Sequence, residues 1–120
     1  MNKALVTLAI GEKYLVPWRA LCEPGWRAYA ARHGYDLVVI TQPLDTSPRA
    51  AARSPAWQKC LVLGDAIAAG RDRIVWIDAD VMINPTAPDI TVGVPAEKIG
   101  AVDEHAFPTP ERRLPLRDRR

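Results

Sequence analysis

The sequence predicts an α/β sandwich built on a mostly parallel sheet, and three observations carry that prediction. Short apolar runs at residues 3–10, 36–41 and 73–77 read as strands covered on both faces. Segments with helical spacing separate these runs, so the order is β-α-β-α-β. Polar and acidic residues cluster directly after the runs, where sheets of this kind bind ligands. At 120 residues, 48% hydrophobic and 25% charged, the chain has the composition of one globular domain. That composition excludes disorder of the whole chain.

The first run holds Leu5, Val6, Leu8 and Ile10 and is ended by Gly11. Its apolar stretch is too short for a membrane span and carries no small-residue cleavage pattern. It is therefore read as a strand, and a cytoplasmic location is the expectation. Residues 14–33 turn helical, with Pro17 in a first turn and a division at Pro24-Gly25. Trp26, Tyr29, Ala30 and His33 recur at i, i+3, i+4 and i+7, and Gly34 supplies the C-terminal cap. The second strand follows, and strand-helix-strand makes a βαβ unit.

Residues 42–53 form a loop of about a dozen residues, a length usually reserved for function. Ser54 and Pro55 then supply an N-cap and a first-turn proline. The helix they open should run to about residue 69, with Trp57, Cys60, Leu61, Gly64, Ile67 and Ala68 on its inner face. The third strand leads into Asp78-Ala79-Asp80, and Asn84-Pro85 turns the chain. Residues 99–102 are a fourth strand candidate, ending in Asp103-Glu104-His105.

Cys22 and Cys60 are too few for a disulfide framework and read as buried free thiols, which suits a reducing compartment. Trp26 and Trp76 read as core pieces. Residues 111–120 carry five Arg and two acids, which leaves 11 basic and 12 acidic groups in residues 1–110. The body is near neutral and has no nucleic-acid footprint; the Pro/Arg-rich end reads as a solvated tail.

Asp-x-Asp alone carries little information, since nine aspartates in 120 residues would give about 0.7 such pairs by chance. Position carries the information. Asp78 and Asp80 follow four apolar residues at the ligand-binding edge. Two carboxylates so close repel each other unless a cation or a donor joins them. Oxygen ligands of this kind suit Mg²⁺ or Mn²⁺, which also bridge diphosphates. Lys59, near the start of its helix, is placed to meet a phosphate there. In isolation it reads as a surface lysine, and His105 as a loop histidine.

Residues 56–61 (Ala-Trp-Gln-Lys-Cys-Leu) and 73–85 (Arg-Ile-Val-Trp-Ile-Asp-Ala-Asp-Val-Met-Ile-Asn-Pro) together resemble the galactosyl/xylosyltransferase family of GT-A nucleotide-sugar glycosyltransferases. Residues 28–37 look like the family's helix leading into the second strand. The match is close over residues 56–85 and loose over residues 3–105. The resemblance implies a Rossmann-like GT-A sandwich and retaining transfer of a sugar from a nucleotide diphosphate donor to an acceptor. It implies Asp80 as a direct ligand of Mn²⁺ or Mg²⁺, with Asp78 on the ribose or the metal shell. Thr7, Ala9 and Tyr14 would border the nucleotide base, and Lys59 would approach the donor. Family members are considerably longer. The expectation is therefore a truncated chain, with residues 1–107 a donor-binding half-domain and residues 108–120 the tail. An open sheet edge and a missing second half predict association, as a homo-oligomer or with a partner chain.

Two other readings compete. A nucleotide- and metal-binding module would keep the same site without turnover. A phosphotransferase of the haloacid dehalogenase type would use Asp78 as nucleophile, but it wants Thr or Val where Met82 stands.

Overall fold

Strand β1 (Lys3–Leu8) is the centre of the sheet because its sequence has no face to give to water: Ala4, Leu5, Val6 and Thr7 are all buried. In the computed structural model, which describes residues 2–64 and 69–101, β1 pairs in parallel with β2 (Tyr35–Ile40) on one side and β3 (Arg73–Trp76) on the other. The register sets Lys3 against Tyr35 and Arg73, and Val6 against Val38 and Trp76. The order β2-β1-β3 means that the chain steps from β1 to a neighbour on one side and then crosses back over β1 to the other. Ile10 and Ile77, expected inside strands, lie just beyond them.

The connection from β1 to β2 is helical throughout. Helix α1 (Glu12–Pro17) runs into a five-residue π-helical turn, Trp18–Cys22, and then helix α2 (Glu23–His33). Pro17 was expected in a first turn but is the last residue of α1. Its nitrogen has no hydrogen to donate to the preceding turn, and the coil widens directly after it. Pro24 sits in the first turn of α2, as expected, and Gly34 closes the helix at φ 74°, its N–H donating to the Ala30 carbonyl. Trp18, Cys22, Trp26, Tyr29 and Ala30 pack on the sheet face that presents Leu5, Tyr35 and Val75. Trp18 and Trp26 meet edge to face at 5.5 Å.

The opposite face presents Ala4 and Val6, covered by Val62, with Val38, Ile40, Leu44, Ile74 and Trp76 packed around them. The loop after β2 contains a single helical turn, α3 (Pro48–Ala51), capped by the Ser47 hydroxyl, which accepts from the Ala50 N–H. The next element begins as a 3₁₀ helix, Pro55–Leu61. This corrects the expected inner face. Trp57, Cys60 and Leu61 are exposed, while Gln58 and Val62 are buried. A 3₁₀ coil has about three residues per turn, so a face counted at 3.6 from Pro55 drifts off the core. Ile67 and Ala68 lie outside the described residues. Of the two thiols expected to be buried, Cys22 is and Cys60 is not.

The chain divides into two compact units, Met1–Asp89 and Ile90–Arg120. In the second, described as far as residue 101, turns are closed by Val94 N–H to Thr91 C=O and Lys98 N–H to Pro95 C=O. Residues 99–101 form no strand, and Ile99 is 93% exposed. An apolar pair is not enough for a strand without a neighbour to complete its hydrogen bonds. Asp103, Glu104, His105 and the tail lie outside the described residues. Among the described residues no helix is long and apolar enough to cross a membrane.

Candidate functional site

In a parallel sheet of order 2-1-3 the crossovers part between β1 and β3, and a crevice opens there beyond the carboxyl ends of the strands. A cleft of about 560 Å³ occupies that position. The end of β1 contributes Leu8 and Ile10, and helix α1 contributes Lys13 and Tyr14. The end of β3 contributes Trp76, Asp78, Ala79 and Asp80, while Ser54, Pro55 and Lys59 come from the start of the 3₁₀ helix. Pro17, Leu21 and Met82 add an apolar side.

Four expected site residues, Tyr14, Lys59, Asp78 and Asp80, thus line one cleft although three separate segments carry them. Thr7 and Ala9 do not line it. They are 0% and 1% exposed, interior residues of the sheet and its immediate continuation. Ala9 continues the ladder, its N–H donating to the Ile40 carbonyl at 2.9 Å. The Thr7 hydroxyl is buried without a hydrogen-bond partner among the described residues.

Asp78 and Asp80 are both exposed, and Ala79 between them is half-buried. The indole N–H of Trp76 donates to one Asp78 oxygen at 3.1 Å, which orients that carboxylate and leaves its second oxygen without a partner among the described residues. The Val81 N–H donates to the Asp78 backbone carbonyl at 3.3 Å, closing a turn around both acids. No His, Cys, Asp or Glu joins them in a group of three among the described residues. Two carboxylates fit a divalent ion whose remaining ligands are water and substrate phosphate, the usual arrangement for Mg²⁺.

The segment carrying these acids is held from behind by side chains of the π turn and α2. Trp26 donates its indole N–H to the Val81 carbonyl at 2.8 Å. Tyr29 donates to the Pro88 carbonyl at 3.1 Å, and Arg32 to Pro85 at 3.4 Å. His33 Nε2 lies 2.8 Å from the Ala87 carbonyl, so it carries the proton, because a carbonyl only accepts. Asp89 ends the row, accepting from the Tyr35 hydroxyl at 2.6 Å and pairing with Lys3 at 3.4 Å. The helix face spaced for a core therefore also serves as a rack for residues 79–89. Gly25 lets the two elements touch: a Cβ at that position would stand 2.7 Å from the Ile83 carbonyl oxygen.

Lys13, Ser54 and Met82 are cleft residues that motif reasoning did not single out. Lys13 was legible only by its place on the edge after β1. Ser54 was read as a cap alone, and Met82 as part of an apolar run, yet it is 71% exposed. No protein-family model, curated protein or solved structure matches this chain.

Proposed function

We propose that the cleft binds a nucleotide-diphosphate sugar together with Mn²⁺ or Mg²⁺, and that the chain is the donor-binding part of a retaining glycosyltransferase. The convergence of Tyr14, Lys59, Asp78 and Asp80 on one crevice at the β1/β3 switch point carries this reading. The resemblance of residues 56–85 to the galactosyl/xylosyltransferase family supports it.

Asp80 would hold the metal directly, with Asp78 beside it or on the ribose. Bound there, the metal supplies Lewis-acid stabilisation of charge on the leaving diphosphate. Lys59 and Lys13 line the same cleft and place positive charge where phosphate oxygens would lie. The half-exposed ring of Tyr14 offers a flat face to the base. Pro17, Leu21 and Met82 shield the crevice from one side.

The reading is tested by thermal denaturation with a panel of uridine and guanosine diphosphate sugars, with and without Mn²⁺. A ligand at a hundred times its dissociation constant adds about 2.7 kcal/mol to stability. The expected result is a rise in Tm for one base, with the full rise requiring metal. No rise with any donor contradicts the reading. A rise without sugar release or transfer assigns the cleft to a nucleotide-binding module instead.

A further inference from the structure

A second concavity lies on the other side of the 3₁₀ helix, away from the carboxylate cleft. It measures about 310 Å³ and is lined by Asp45, Arg49, Arg53, Trp57, Gln58 and Cys60, among others. The long loop after β2 supplies its floor and the 3₁₀ helix its wall. Pro55 and Lys59 of this helix face the first cleft, and Trp57 and Cys60 the second.

Three features of this concavity call for a ligand. Arg49 and Arg53 are exposed, and no ion pair or hydrogen bond engages either guanidinium group among the described residues. Trp57 is 63% exposed, a large apolar ring left in water inside a concave site. The wall is braced rather than loose. Gln58 is buried and clamps the Asp45 backbone from both sides, its Oε1 accepting from the N–H at 2.8 Å and its Nε2 donating to the carbonyl at 2.9 Å. The Asp45 carboxylate is turned to its own loop, accepting from the Ser47 N–H at 2.9 Å, so it is already engaged beside the two arginines.

We infer that this concavity is a second ligand site, taking a phosphate or carboxylate carried on a ring. The two guanidinium groups bind the oxyanion through paired N–H donors, and the ring lies on the face of Trp57. A phosphorylated or acidic sugar and a nucleoside monophosphate share this chemistry. The site needs no metal, since its charge is positive, and it does not depend on the carboxylate cleft.

The test is a fluorescence titration of the full chain in EDTA, which silences metal-dependent binding at the first cleft. Trp57 is the most exposed of the described tryptophans and dominates the response to added ligand. The probes are glucose 1-phosphate, glucuronate, adenosine 5′-monophosphate and inorganic phosphate. A saturable change with ring-bearing anions, about tenfold tighter than inorganic phosphate, is expected from the added stacking contact. The tightest probe tells a sugar ring from a nucleobase, and either supports the site. The paired variant Arg49→Gln, Arg53→Gln should weaken binding by roughly ten- to a hundredfold, because hydrogen bonds to charged groups are lost. Asp80→Ala should leave it unchanged, which separates this site from the first. Absence of saturable binding by any probe overturns the inference, as does full affinity in the paired variant or inorganic phosphate binding as tightly as the ring-bearing anions.

Discussion

Gly25 lets the segment that follows the two carboxylates lie close against α2. Its missing side chain admits the Ile83 carbonyl, and any Cβ would meet that oxygen at 2.7 Å. Gly25→Ala should therefore push residues 81–85 off the helix and cost about 1–3 kcal/mol in urea denaturation, the usual cost of overpacking. Gln58→Ala removes both bonds to the Asp45 backbone and should cost about 1–3 kcal/mol, at about 0.5–1.5 kcal/mol for each bond. Asp45 itself has a lowered pKa, chiefly because the Ser47 N–H stabilises its carboxylate, with the Ser47 hydroxyl adding to the effect. A depressed carboxylate contributes stability above its unfolded pKa and loses that contribution as pH falls through the folded value. NMR titration should place Asp45 below the ordinary carboxylate range, and Ser47→Ala, which removes the hydroxyl but keeps the N–H, should move it only part of the way back up.

At the scale of the element, α2 does two things with one face. Leu5, Tyr35 and Val75 of the sheet receive its rings, while the polar tips of Trp26, Tyr29 and His33 reach past the sheet edge to the carbonyls of residues 81–88. Aromatic side chains with a polar end suit this role, since their bodies bury and their tips need an acceptor. Trp26→Phe keeps the ring and removes the bond to Val81. It should cost about 1 kcal/mol and speed amide exchange over residues 81–89 more than in β1. Uniform exchange acceleration would show that the rack does not act locally.

Across the whole molecule, the parts legible in the sequence were those set by continuous apolar runs and by punctuation. β1 was readable because both its faces are covered, and Gly34 because only a left-handed turn stops α2 there. The position of Asp78 and Asp80 at the sheet's carboxyl edge was readable because they directly follow an apolar run, and both line the cleft there. Other features depended on contacts distant in sequence. Gln58 is polar and faces inward because of Asp45, thirteen residues away, and no pattern of hydrophobicity marks it. The 3₁₀ start at Pro55 rotated Trp57 outward, and Ile99 was read as a strand residue from local apolarity alone. Gly25 was read as a helix break, although its function is to admit a carbonyl 58 residues further on.

The cleft at the β1/β3 switch point is the feature from which the functional reading follows, and Asp80 is its most exacting point. Isothermal calorimetry of the full chain with uridine and guanosine diphosphate sugars and Mn²⁺ tests it directly, comparing the native protein with Asp80→Ala. Saturable binding that requires metal is expected in the native protein, weakened at least about tenfold in Asp80→Ala while its circular dichroism is unchanged. Binding of the same affinity in Asp80→Ala, or in the native protein with and without metal, would contradict the functional reading.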